Sequence, residues 1–406
     1  MLKDLLKSNK FGGIYNQISS SVRSGIPTAV FGVSIPEKIR LLIHLDMPVL
    51  MIVRDSQTAI KITEEIKLIT GENAVFLPSK DDLLLYKSAF NKDSLHRRLT
   101  ALYEIQKGAK IIVTVFEALM QYFPKKVDYI TLEKDKDYDL TQVTKSLIKL
   151  GYKRVDFSEN KGEFSVRGDI LEVYPINEEF VYRIDFFGDT IERIRREDLS
   201  ETSSVDIVCA TDVIIDENLV PSIIEKLKNS YKEYGNLLVK DNAKNLYFKL
   251  VDKLETDLYD DSLEYILPLL DNVTNDFLSL ISKDAVIVFD ESKIISDSLN
   301  YIEKEHLERF ESLKRTGDAL SFIKSQLLDK ESLLNSFKDR KLLALQTLST
   351  VIPLFNPLKT YSVKASAVTR YYLKKDEIFK DCQNWNITGY TVLICCHDSS
   401  FAESLY

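Results

Sequence analysis

From residue 1 to about 125, two spacings of apolar residues take turns along the chain. Short β-rich runs, "TAVFGV", "PVLMIV", "NAVFLP" and "KIIVTV", are separated by stretches whose apolar residues recur three and four apart. "PEKIRLLIHL", "DSQTAIKITEEIKLIT" and "SLHRRLTALYEIQKG" carry that helical spacing. Strand and helix in turn predict a parallel sheet covered by helices. After "YFPKK" the period shortens. "EFSVRGDILEVYPINEEFVYRIDFFGDTIERIRRED" alternates apolar and polar positions over short strands broken at "PINE" and at Gly-Asp turns, which predicts an antiparallel α+β unit. From about 213 to 350 long helical patterns return around the apolar run "DAVIVFDES".

A parallel-sheet rhythm interrupted in this way predicts an α/β fold with a P-loop NTPase-like sheet, split by an inserted antiparallel α+β domain. The expected divisions are 1–127, 128–212 for the insert, 213–350 completing the split domain, and 351–406 as a linker and the start of a further α/β domain. The last stretch reads helix, turn, strand ("TVLICCHDSS"), helix start. A single such piece cannot bury its own sheet, so the chain is expected to end inside that further domain.

Composition narrows the function. At 406 residues the chain suits two to four domains, and 45% apolar residues can build a sizeable core. A net charge of −8 argues against a surface built throughout to hold a nucleic-acid backbone, although a local basic patch stays open. Cys209, Cys382, Cys395 and Cys396 form no CxxC pair, so a reducing cytoplasm is expected and no disulfide framework. Cys395 and Cys396 read as core residues of a buried strand; His397 beside them has no second cluster to complete a metal shell. "MLKDLLKSNKFGG" lacks the apolar core of a secretion signal, and "LLALQTLSTVIPLFNPL" is too interrupted to span a membrane. No metal, cofactor or small-molecule substrate is expected.

"FGVSIPEKIRLLIHL" nearly makes a phosphate-binding loop. A Walker A loop, G-x-x-x-x-G-K-[ST], cradles phosphates with backbone N–H groups, neutralises them with lysine and binds Mg²⁺ through a hydroxyl. Laid on this stretch, Gly32 and Lys38 match, whereas the second glycine is Glu37 and the hydroxyl residue is Ile39. Glu37 adds negative charge where phosphate should sit, and Ile39 cannot bind a metal. Ser34 and Glu37 also fit a capping box, so the helix's own side chains satisfy N–H groups that would otherwise bind an anion. The loop is therefore read as plugged from within. "VIVFDES" places Asp290 and Glu291 where a Walker B strand puts its Mg²⁺ ligand and base, a weak signal taken as vestigial. The alternative is a working ATP hydrolase using Lys38, Asp290 and Glu291.

These segments resemble the amino-terminal part of the transcription-repair coupling factor (Mfd) family, itself similar to the excision-repair protein UvrB. "GVSIPEKI" lies where UvrB carries an intact loop. "PVLMIVRDSQTAIKITEEI", "VFLPSKDDLLLY", "SLHRRLTALYEIQKGAKIIVTVFEALMQ", "GEFSVRGDILEVYP" and "YRIDFFGDTIERIR" follow the Mfd order. UvrB places a long tyrosine-bearing hairpin between the blocks ending "LLLY" and starting "SLHRRL"; only a handful of residues intervene here, leaving no room for that damage-recognising wedge. The resemblance implies that the insert binds UvrA, and that RNA-polymerase binding and the ATP-driven translocase on double-stranded DNA lie in other regions of such proteins. It also implies a UvrA-binding face masked in the intact protein by a carboxyl-terminal domain.

Strand "VYRIDFFG" can be read without the family. Alternation puts Tyr182, Ile184 and Phe186 on a core face and Arg183, Asp185 and Phe187 on the other. Arginine with an aromatic is the composition of interface hot spots. The competing reading packs Phe187 under a loop and pairs Arg183 locally with Asp185 or a cross-strand acid. The resemblance implies UvrA contact by Arg167, Arg183 and Phe187. Arg193, Arg195 and Arg196 are read as a solvated run, and Arg97 and Arg98 as a pair facing solvent.

Overall fold

A computed structural model describes residues 13–71, 73–80, 92–234, 240–363, 371, 375–392, 394, 396 and 399–405. They fall into two compact units, one within 1–363 and one within 364–406. The first begins with helix α1 (Gly13–Arg23), strand β1 (Thr28–Phe31), α2 (Ile35–Leu45), β2 (Val49–Val53), α3 (Ser56–Thr70), β3 (Ala74–Leu77), α4 (Lys92–Gln106) and β4 (Ile111–Val115). Local chemistry sets their ends. Asp55 caps α3 by accepting from Thr58 N at 2.7 Å, and Gly71 ends it in the left-handed region.

Short strands β5 (Phe123–Pro124) and β6 (Tyr129–Glu133) lead into the insert, which holds a helix at Leu140–Lys149. Its strands are β7 (Lys153–Arg154), β8 (Glu163–Arg167), β9 (Ile170–Tyr174), β10 (Tyr182–Phe187), β11 (Thr190–Arg196), β12 (Glu201–Thr202) and β13 (Ser204–Val208). Helices follow, with β14 (Val273–Thr274), β15 (Val286–Asp290), the long helix Ser292–Thr316, β16 (Lys341–Gln346) and β17 (Lys359–Ser362).

Seven strands form one parallel sheet in the order β17-β1-β16-β15-β2-β4-β3. β2, β4 and β15 are buried at every position, as strands covered on both faces must be, which is why they read as unbroken apolar runs. The α/β fold with an antiparallel insert is the one the hydrophobic pattern predicts. Edge strand β17 comes from the stretch expected to be linker; it is mostly exposed and polar, so no apolar run announced it.

The insert's sheet runs β12-β11-β10-β9-β8-β7, antiparallel except for β7 with β8. Two hairpins share a device. Arg167 pairs with Ile170 and Phe187 with Thr190 across two-residue Gly-Asp loops. Gly168 and Gly188 take positive φ and the aspartates after them do not, the pattern of a type II′ turn.

One apolar cluster joins the insert to the parallel sheet. Leu50, Phe116 and Phe289 belong to it with Phe164, Ile184 and Ile207, and Leu99 and Leu102 of α4 lie between. A second cluster, with Ile18, Leu41, Ile62, Val113 and Leu345, fills the other side of the sheet.

Two expectations are corrected. Arg98 does not face solvent: it is 1% exposed. Its guanidinium stacks 4.3 Å from the Phe123 ring centroid and donates to the Pro78 and Tyr122 carbonyls at 2.6 and 3.3 Å. Those partners repay the burial that lowers its pKa to about 10. "TVLICCHDSS" forms no strand among its described residues, where Ile394 is exposed and Cys396 only half-buried. A lone strand has no ladder to join. Cys395 and His397, and the short connection at 81–91, lie outside the described residues.

Candidate functional site

The Gly32–Ile39 loop lies at the carboxyl ends of β1, β16 and β15, where open α/β sheets bind ligands. Gly32 follows β1 with φ at 78°. A Cβ there would stand nearer than 3.0 Å to the Val363 carbonyl oxygen, so the glycine accommodates the chain leaving β17. Val33 N donates to the Gln346 carbonyl at 3.2 Å. Ser34 heads α2, and the Glu37 carboxylate accepts from Ser34 N at 3.1 Å and from the Ser34 hydroxyl. The capping box expected from sequence is formed.

Lys38, 4% exposed, turns across the sheet ends to Asp290 at 2.6 Å and Glu291 at 3.1 Å. Burial pushes the Asp290 carboxyl above its ordinary range, against the pull of Lys38. Burial acts the same way on Glu291, but the Thr347 hydroxyl and N–H, at 2.6 and 2.8 Å, and Lys38 together hold it below the usual range. Sequence reading placed Lys38, Asp290 and Glu291 in one site but did not foresee that both carboxylates would pair with the lysine. Ile39 is buried in the core behind α2.

The second region is the outward face of the insert's sheet. Tyr182, Ile184 and Phe186 are buried, and Phe187 projects with 80% of its surface exposed. That side of the alternation is as read, and among the described residues no loop covers the ring. The competing reading holds for the neighbouring charges. Arg183 meets Asp185 at 3.2 Å and Glu172 at 3.9 Å. Arg195 reaches Asp185 at 2.6 Å, Arg193 reaches Glu201 at 3.3 Å, and Arg196 Nε donates to the Tyr182 hydroxyl at 3.0 Å. The arginine run is thus tied to its own sheet rather than loose in solvent. Arg167, exposed at the end of β8, is brought to the same end of the sheet as Phe187 because Ile170 pairs with Asp185.

A lattice of buried charges sets the insert against the scaffold. Lys80, after β3, pairs with Asp212 and Glu264, and its backbone N–H and carbonyl are held by the Gln121 amide at 2.7 and 3.2 Å. Tyr103 of α4 donates its hydroxyl to Asp206 of β13. No motif marked these residues; only their convergence in three dimensions does.

A parallel α/β sheet of P-loop type carrying an inserted antiparallel domain is the class that this geometry defines. Within it, residues 130–214 match the family model of the UvrB interaction domain. The chain is 27% identical over 236 residues to UvrABC system protein B of Treponema denticola, covering 52% of this chain and 36% of that protein. It is 26% identical over 313 residues to a transcription-repair-coupling factor of Staphylococcus aureus, covering 72% of this chain and 26% of that one. A coupling factor from another strain of that species is 30% identical over 211 residues, 48% of this chain and 18% of its own length. The chain thus spans about a third or less of the length of these relatives, and its likeness is to DNA-repair factors. Among the described residues no helix is long and apolar enough to cross a membrane.

Proposed function

We propose that this chain is a non-catalytic recruitment module of a transcription-coupled repair factor, whose insert docks the excision-repair protein UvrA. Arg167, Arg183 and Phe187 make the contact, and the α/β scaffold positions them. RNA-polymerase binding and translocation on double-stranded DNA belong, in this reading, to regions of such factors that residues 1–406 do not match.

The exposed Phe187 ring carries the proposal. A phenylalanine left in water at a hairpin end forgoes about 2 kcal/mol of burial, which a partner's apolar pocket would recover. Arg183, four residues back on the same face of β10 and paired with Glu172 and Asp185, is already fixed in direction. Size-exclusion co-elution with UvrA tests the reading. Arg183→Ala and Phe187→Ala are each expected to weaken binding by about 1–3 kcal/mol; UvrA retained equally by both would refute the assignment.

The engagement of Lys38 by Asp290 and Glu291, with the Ser34–Glu37 pair capping α2, supports the non-catalytic half. An ATP-hydrolysing module is the second reading, favoured by the position of those three residues at the sheet's carboxyl ends. Mg-ATP binding separates the two.

A further inference from the structure

Between β7 and β8 the chain crosses toward the outward face of the insert's sheet. Val155 N donates to the Phe164 carbonyl at 2.9 Å, and the Ser158 hydroxyl donates to the Glu172 carbonyl on β9 at 3.3 Å. Ser158 then helps line a cavity of about 350 Å³ shared with Glu172, Arg183, Arg195 and Leu199. On this crossing stands Phe157, with 64% of its surface exposed. The Arg167 guanidinium lies 4.0 Å from its ring centroid and donates to the Asp156 carbonyl.

We propose that Phe157 belongs to the UvrA-binding surface, as an apolar anchor and as the residue that positions Arg167. This rests on the reading of the insert as a UvrA-docking domain. Stacking and one carbonyl bond hold the Arg167 fork before any partner arrives, while its remaining N–H donors stay free to take a carboxylate in a bidentate pair. Side-chain ordering that binding otherwise costs is thereby reduced. Arg167 on β8 stands two strands, about 10 Å, from β10. The surface then spans three strands: the Phe157–Arg167 stack stands on one side, and Arg183 and Phe187 stand on β10 on the other, either side of the level of Asp185 that Arg167 shares. It fits an acidic patch on UvrA with apolar surface for two rings. Family residues mapped onto this chain name only one aromatic; the second is visible only because the crossing segment sets it against Arg167.

The test titrates the chain over immobilised UvrA and compares wild type with Phe157→Ala, Phe157→Tyr, Arg167→Ala, the Phe157→Ala/Arg167→Ala pair and Phe187→Ala, each checked by thermal melting. Phe157→Ala is expected to weaken binding about tenfold with an unchanged melt, because the ring is exposed. Phe157→Tyr keeps the ring face and should stay within about twofold of wild type. The double variant should bind far better than the product of the two single losses predicts, since the ring acts in part through Arg167. Wild-type affinity in Phe157→Ala alongside a weakened Phe187→Ala overturns the inference and leaves the docking face standing. Wild-type affinity in both, or no binding by wild type, overturns the docking face and this inference with it.

Discussion

Gly32 occupies the place of a phosphate loop's first glycine, yet what it makes room for is the Val363 carbonyl. With φ at 78° and that oxygen against it, an added methyl meets both backbone strain and a clash. Gly32→Ala is therefore expected to lower stability by about 2 kcal/mol or more, read as a shifted urea midpoint with or without nucleotide. An unchanged midpoint would remove the packing explanation for the glycine. Other residues were unequally legible. Alternation alone sent Phe187 outward, because a strand has period two whatever surrounds it. Arg98 defeated the same kind of reasoning. Its charge looked like solvent-facing charge until Phe123 and two carbonyls, from segments 20 residues or more away, closed around it.

Among elements, the loop after β3, the end of the insert and the following helices meet at Lys80, Asp212 and Glu264. Burial, aided by the like charge of Asp212 and opposed by Lys80, raises the Glu264 carboxyl from an ordinary 4.5 to about 6. A folded pKa above the unfolded one means that the native state holds the extra proton between those values. The group's contribution to stability is then fullest below about 4.5 and is lost as pH rises through about 6. The stability of wild type minus that of Glu264→Gln should accordingly fall across that window and level off above it, in urea titrations at a series of pH values. A difference that climbs with pH would show Lys80 to dominate instead. The hairpins on either side of Arg167 and Phe187 were more transparent, since Gly-Asp between two alternating runs specifies a two-residue turn by itself.

For the molecule, the insert and the parallel sheet share one apolar cluster through α4, so neither can lose its packing without exposing the other. Residues 13–363 are expected to melt in a single calorimetric transition, and the non-catalytic reading proposed above predicts that Mg-ATP leaves its temperature unchanged. A site binding ATP a thousandfold below the added concentration would add about 4 kcal/mol. A rise of that size would reinstate the hydrolase reading, and two separated peaks would show the shared core to be too weak to couple the parts.

Hydrophobic period by itself determined the α/β sheet, the antiparallel insert and the outward direction of Arg183 and Phe187, since strand and helix repeats are local properties of the backbone. Motif spacing also exposed the absent second glycine and hydroxyl of a phosphate loop and the Ser34–Glu37 cap, all within a few residues of one another. Tertiary structure alone decided that Lys38 spends its charge on Asp290 and Glu291, that β17 completes the sheet, and that Phe157 props Arg167. Each of these joins residues whose separation along the chain carries no pattern. Their meeting depends on how the sheet orders its strands, which no local rhythm encodes.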